Sequence, residues 1–234
     1  MKYKYLDKIN STNSYCKANI DVLADKTVVY TSKQSGGRGR FNRVWIDLGS
    51  ENIFLSIVLK PSENLLPVFS NLTQYTALKL AEVFSDWGVS PNIKWPNDIL
   101  INGKKISGIL AETVLKENRL KGVIIGVGLN LNANEKDFVQ IDKLVTALNI
   151  ELAHEIDKEK FLKHFIEKFF EGYENFLNEG FISIKNEYEK YIDFIGKEIT
   201  ISNLNEKVSG TVEKITNDGA IVINGEKFFT GDII

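Results

Sequence analysis

The chain has 234 residues, 43% of them hydrophobic and 26% charged, enough for one main globular domain with a small appendage. Lys and Arg total 29 against 31 Asp and Glu, so the net charge of −2 offers no global basic field for gripping a nucleic-acid backbone, although a local positive site stays open. The lone Cys16 excludes an intramolecular disulfide, and His154 and His164 are too few for a thiolate- or imidazole-rich zinc site. No apolar run reaches the ~20 residues of a membrane span and the start carries no secretory pattern, so the expected compartment is the cytoplasm.

Residues 3–6 read as a short strand, and Ser11-Thr12-Asn13 as N-cap residues for a helix from Ser14 to about Val22. The β-branched run Thr27–Thr31 is a strand leading into the loop Gln34–Arg43. A further strand, Asn52–Leu59, ends at Pro61. Helical spacing of Phe69, Leu72, Leu78, Leu80, Val83 and Phe84 predicts one helix over Pro67–Trp87, stopped by Gly88. Short strands follow at Asn92–Trp95 and Ile99–Ile101. Asn102-Gly103 is a tight-turn signal, and two long strands, Ile106–Leu115 and Leu120–Leu131, turn at Glu117-Asn118. A second amphipathic helix is expected over Asp157–Leu177, with Asp157 as its N-cap, Gly180 beyond its end, and Phe161, Phe165, Phe169 and Leu177 as packing residues.

From Gly196 onward the texture becomes short alternating runs, 197–202, 207–215, 220–223 and 226–230, broken by Asn217-Asp218-Gly219 and Asn224-Gly225. These hairpin signals describe a small all-β unit such as a five-stranded barrel, leaning on the main domain because it is too short to bury much alone. The boundary is placed between residues 195 and 196.

Arginine usage locates the chemistry. The chain holds 25 Lys but only four Arg, and three of these, Arg38, Arg40 and Arg43, fall within six positions. Lys serves solubility equally well, so Arg is worth specifying where a planar fork must grip phosphate or carboxylate. Gly36, Gly37 and Gly39 let that loop bring its backbone close to a ligand, although a solvated basic loop is the bland alternative. It is not a P-loop, because no Gly-Lys-Ser/Thr follows. Lys94-Trp95-Pro96-Asn97-Asp98 forms a corner on which Lys94 could meet an anion and Asp98 a proton or cation, or the two could simply pair. Lys105 opens a long strand that contains Gly108, with Glu112 four residues further on. Gly126 and Gly128 in the next strand indicate close packing of a ligand or helix, or else sheet twist or a bulge. No Ser-His or Cys-His pairing appears. The set suits a reaction between two anionic substrates that supply both nucleophile and electrophile, with the protein holding them together and neutralising charge.

In their order, Ser11-Thr12-Asn13, Gln34–Arg43 with Trp45, Lys94–Asp98, Lys105–Leu110 and Gly126–Asn130 resemble the motifs of biotin–protein ligases, over nearly the whole chain. The resemblance implies an α+β fold: a mixed, largely antiparallel sheet with flanking helices, of the class II aminoacyl-tRNA synthetase and biotin ligase type, in residues 1–195, and an SH3-like β-barrel in 196–234. It implies ATP and Mg²⁺ as substrate and activating ion, biotinyl-5′-adenylate as intermediate, and a lysine of a biotin carboxyl carrier domain, such as that of acetyl-CoA carboxylase, as acceptor. By position, biotin falls to Ser11, Thr12, Asn13, Gln34, Gly37, Arg38, Gly39, Arg40, Lys105 and Gly108. The nucleotide falls to Arg40, Trp45, Lys94, Asn97 and Asn130, and catalysis to Lys105, Arg40, Lys94 and Asp98; the metal ligands stay unassigned. The glycine-arginine loop is expected to close over ligand.

Asn42 stands where the family often has glycine, and its tolerance of positive φ is expected to preserve the turn. Ser11 lies ten residues from the start, which is read as a dedicated ligase with no sequence-specific DNA binding and no membrane association. Long strands with usable edges would suit a sheet-extending homodimer. Lipoate ligation is the competing enzyme reading, and a noncatalytic biotin or adenylate sensor the competing binding one.

Overall fold

The computed structural model describes residues 1–234 except 48–50, 61–64, 142–143 and 203–205; Pro61, expected to end a strand, lies outside the described residues. Seven strands form the main sheet: β1 (Lys2–Tyr5), β2 (Thr27–Thr31), β5 (Ile53–Leu59), β6 (Pro91–Lys94), β7 (Asp98–Ile101), β8 (Lys104–Lys116) and β9 (Arg119–Leu129). Their order is β1-β2-β5-β9-β8-β7-β6, with only β1 and β2 parallel, which makes the sheet mixed and largely antiparallel. A two-strand ribbon, β3 (Gly37–Arg38) with β4 (Val44–Trp45), stands apart from it.

Strand periodicity assigns the two faces. Val28, Leu55, Ile57, Val123 and Ile125 bury into the large core, whereas their neighbours Val29, Val58 and Ile124 bury with Cys16 and Ile20 on the opposite side. The first face is covered by α3 (Leu72–Asp86), α5 (Lys158–Glu171) and α6 (Tyr173–Glu179), after the short α2 (Leu65–Val68) and α4 (Leu148–Leu152), with α7 (Lys185–Glu189) following. On α5, Phe161, Phe165 and Phe169 are wholly buried, each contributing roughly 1.5–3 kcal/mol of transfer free energy. The other face carries α1 (Thr12–Ala18), whose shortness leaves part of the sheet uncovered.

The tight turns follow their sequence signals. Asn102 and Gly103 both take positive φ (50° and 76°), as do Glu117 and Asn118 (51° and 58°), the geometry of type I′ hairpins. Asp157 caps α5 by accepting from the Lys160 amide. Two helices are more broken than their periodicity predicts. The 67–87 segment starts with α2 and a 3₁₀ turn at Phe69–Asn71, which leaves Phe69 44% exposed rather than in the core. The 157–177 segment divides at Gly172, so Leu177 belongs to α6.

At the C-terminal end, β10 (Glu198–Ser202), β11 (Lys207–Ile215), β12 (Ile221–Ile223), β13 (Glu226–Phe228) and β14 (Asp232–Ile233) form a separate antiparallel sheet in the order β13-β12-β11-β10-β14. Its Ile201, Val212, Ile215 and Phe228 bury in the same cluster as the main core, and Gln74 Nε2 donates to Gly219 O across the junction at 2.8 Å. No helix among the described residues is long and apolar enough to cross a membrane.

Candidate functional site

Register places the floor. In one row across the sheet, Phe54, Gly128, Gly108, Asp98 and Lys94 are successive partners; two residues along, Ser56, Gly126 and Leu110 form the next row on the same face. Above these rows opens a cleft of about 1130 Å³, its mouth included. Trp45 lies on Gly128 and Gly108, where an added Cβ would come within 2.5 Å and 2.6 Å of the indole, and Asn13 lies on Gly126, where a Cβ would overlap its amide. Of the alternatives for these glycines, close packing holds, and the packed groups are Trp45 and Asn13. Gly128→Ala is therefore expected to push the indole off the floor with the fold retained. A changed tryptophan emission with an unchanged far-UV circular dichroism spectrum checks this.

One end of the cleft is a hydrogen-bonded polar group. Ser11 Oγ caps α1 by accepting from the Ser14 amide, so Thr12 and Asn13 fall in the first helical turn with side chains toward the floor. Gln34 Oε1 accepts from the Thr12 amide at 2.9 Å and lies 3.3 Å from its hydroxyl. Ser56 Oγ is 2.8 Å from Thr12 Oγ1 and 2.6 Å from Asn13 Oδ1. Asn13 Nδ2 donates to Glu112 Oε2 at 2.9 Å and to Leu110 O at 3.3 Å. Burial works to raise the Glu112 carboxyl, but hydrogen bonds from Lys17 and Asn13 and the charges of Lys17 and Arg38 outweigh it and hold it below the ordinary carboxylate value. The Cys16 thiol, pushed up to about 12 by burial, is inert packing.

The other end is cationic. Lys105 Nζ sits 2.7 Å from Asp98 Oδ1 and 5.1 Å from the Trp45 ring centroid. Arg40 donates to Asn97 Oδ1 (3.2 Å), Thr230 Oγ1 (2.8 Å), Gly231 O (3.0 Å) and Asp232 Oδ1 (3.1 Å), which ties the loop to the last strand. Burial lowers the pKa of this guanidinium, against the opposing pull of Asp232 and Asp98. Arg43 pairs with Asp232 as well, and both arginines flank the Phe41 ring. Arg38 reaches Ser14 Oγ at 3.1 Å and stands 3.6 Å from Glu112. Asn97 Nδ2 donates to Asp98 Oδ1 and to Ile109 O, while Asn130 Nδ2 holds Thr146 O, fastening the 145–148 segment over the cleft.

Ser11, Thr12, Asn13, Gln34, Arg38, Gly39, Arg40, Trp45, Asn97, Asp98, Lys105, Gly108 and Asn130 thus line one cleft. Lys94 and Gly37 lie outside the lining. Lys94 shares the Asp98 row but stands on β6, the edge strand one place further out, and Asp98 turns to Lys105 instead. Gly37 serves the β3–β4 ribbon, since a Cβ there would come within 2.7 Å of Trp45 O and 2.8 Å of Gln34 Nε2. The left-handed residue of the loop is Phe41 (φ 54°, ψ 39°), within the 3₁₀ turn that Asn42 ends.

A family model described as "Biotin/lipoate A/B protein ligase family" matches residues 5–130, the stretch that carries all of the cleft's described lining except Ile141, Val145 and Asp232. The chain belongs to this family. The bifunctional ligase/repressor BirA of Bacillus spizizenii is 33% identical to this biotin/lipoate-ligase family member over 236 residues, covering 98% of this chain and 72% of that protein. The biotin–[acetyl-CoA-carboxylase] ligase of Paracoccus denitrificans is 28% identical, over 94% and 93% of the two chains. In fold, the family member matches the biotin protein ligase of Aquifex aeolicus, solved with biotin and ATP, at a TM-score of 0.83 and 23% identity, over 100% and 97% of the chains.

Sequence reasoning missed Ser56, left Glu112 without a role and did not foresee Asp232. A buried serine inside the strand Phe54-Leu55-Ser56-Ile57-Val58-Leu59 is the signal that marks Ser56. Asp232 carries no such mark, because its partner Arg40 lies 192 residues away.

Proposed function

We propose that this protein is an ATP-dependent biotin–protein ligase, which activates biotin as biotinyl-5′-adenylate and transfers it to a lysine of a biotin carboxyl carrier domain. Family membership, the BirA and Paracoccus relatives and the fold match support the reading. The observation that carries it is one cleft with a hydrogen-bonding end at Thr12, Asn13 and Gln34 and a cationic end at Lys105 and Arg40. That division fits a polar ureido head at one end and a carboxylate meeting a triphosphate at the other. The lining holds no histidine or cysteine among the described residues, which is compatible with substrates that supply the nucleophiles.

In the first step a biotin carboxylate oxygen attacks the α-phosphorus of ATP, and the bond to pyrophosphate breaks with its electron pair. In the second, the carrier amine attacks the acyl carbon, AMP leaves, and the amine gives up a proton. Ser11, Thr12, Asn13 and Gln34 hold the ureido ring; Arg38 and Lys105 face the carboxylate, and Arg40 the phosphates. Trp45, Asn97 and Asn130 shape the nucleotide side, with Lys94 adding charge from one strand further out. Asp98 accepts the proton of the carrier lysine. Residues 1–195 form the catalytic unit and 196–234 the auxiliary one, which contributes Asp232 to the rim.

Among the described residues no three His, Cys, Asp or Glu side chains group as a metal site. The cleft carboxylates, Asp98 and Asp232, each face cations. That donor set would suit a Mg²⁺ held chiefly by the triphosphate oxygens. When bound it neutralises phosphate charge.

The test is exchange of labelled pyrophosphate into ATP with biotin, with lipoate, and with neither. Exchange that depends on biotin, followed by label on a carrier domain, is the expected result. Exchange with lipoate instead would make this a lipoate ligase, and biotin binding without exchange would make it a sensor.

A further inference from the structure

We propose that Glu112, a carboxylate behind the cleft rather than in its lining, is a positioning residue that sets which way the polar end offers its hydrogen-bond donors and acceptors. The proposal deepens the ligase reading above and rests on it. Glu112 lies on β8 in the row beyond Leu110, on the face that carries α1. Its Oε1 accepts from Lys17 Nζ at 2.8 Å and its Oε2 from Asn13 Nδ2 at 2.9 Å, with Arg38 3.6 Å from Oε1.

A carboxylate and a backbone carbonyl only accept, so Glu112 and Leu110 O together take both hydrogens of the Asn13 amide. The amide then has one orientation, with Oδ1 turned to Ser56. Ser56 has a single hydroxyl hydrogen, and of its two oxygen contacts the one to Asn13 Oδ1, at 2.6 Å, is shorter than the one to Thr12 Oγ1, at 2.8 Å; the Cys16 thiol also bonds to Ser56. That hydrogen goes to Asn13. Ser56 Oγ is left to accept from Thr12, 2.8 Å away and nearer than the 3.3 Å alternative at Gln34. With its hydrogen spent on Ser56, Thr12 Oγ1 presents lone pairs to the cleft and Gln34, whose Oε1 is held by the Thr12 amide, presents its Nε2 donors. An acceptor beside a donor is what the N–H and C=O of a cyclic urea require. A neutral amide at position 112 can donate to Asn13, flip it, and run the chain of hydrogen bonds in reverse. Thr12 then turns a hydrogen toward the ligand.

The experiment compares wild type, Glu112→Gln and Ser56→Ala, the last cutting the relay while leaving the Glu112 pairs to Lys17 and Asn13 intact. Readouts are KM for biotin, KM for ATP and kcat in pyrophosphate exchange, and calorimetric affinity for biotin and for 2-iminobiotin, in which the urea carbonyl acceptor is replaced by an imine nitrogen. For both variants the expected result is a biotin KM raised about tenfold, with ATP KM and kcat within about twofold, and a preference for biotin over 2-iminobiotin narrowed about fivefold. Unchanged biotin KM and unchanged preference in Glu112→Gln would overturn the proposal alone. So would losses in KM, kcat and thermal midpoint that move together, because a merely structural ion pair predicts that pattern. Wild type that binds no biotin would overturn the ligase reading and this proposal together.

Discussion

Lys105→Ala is expected to slow biotin-dependent pyrophosphate exchange by about a hundred- to a thousandfold, the size seen when one preorganised group facing developing charge is removed. A carboxylate approaching a triphosphate is opposed by charge at every distance, and the barrier falls only where fixed cations stand at the meeting point. Lys105 is placed for this: it is the second residue of β8, and its ammonium stands 5.1 Å from the Trp45 ring centroid and 2.7 Å from Asp98. The side chains of the Lys105–Asp98 pair are about a quarter exposed, so breaking the pair costs folding little, on the order of 1 kcal/mol at most. Rate and stability should therefore separate. Stopped exchange assays alongside thermal melts check this, and a melting point that fell in step with the rate would remove the catalytic role.

Arg40→Ala is expected to let the activated intermediate escape, raising labelling of bystander lysines on an unrelated protein by about tenfold or more. The guanidinium spans two walls of the cleft, from Asn97 on the corner to Thr230, Gly231 and Asp232 at the last strand. Four acceptors on one planar fork fix the loop in a way that a lysine could not reproduce. On the proposed reading, a phosphate entering the cleft would compete for the same donors, so the loop's attachment and ligand binding would share one side chain. Removing it leaves Asp232 to Arg43 alone and opens the rim. Release of preformed, labelled adenylate after gel filtration measures the effect; release slower than wild type would contradict the covering role.

What the sequence disclosed was local or periodic. Asn102-Gly103 and Asn224-Gly225 announce their hairpins because the backbone geometry is decided within the turn. The β-branched content of Thr27–Thr31 and the alternation of Lys207–Ile215 are strong enough to give those strands their limits. The break at Gly172 was hidden because apolar spacing runs through it from Phe169 to Phe176, and Phe69 looks like a core residue until the 3₁₀ turn rotates it outward. In the site, the motifs named many of the residues that line the cleft, together with Lys94 and Gly37, which lie outside it. They could not identify Ser56 and Glu112, whose meaning comes from strand register and from Asn13, 43 and 99 positions away. The loop shows the same limit at short range: the strained position was expected at Asn42, yet positive φ falls on Phe41, where the ring packs between two guanidinium groups.

The buried cluster that takes Ile201, Val212 and Phe228 from the small sheet together with Leu78 and Phe165 from the large one has a consequence for how the molecule comes apart. Strands too few to sustain themselves borrow their interior from the neighbouring layer, and heat finds no seam between the two. Calorimetry should then trace a single endotherm, and a vitamin seated far from β11 would protect that strand's amides from exchange with solvent as firmly as those beside it.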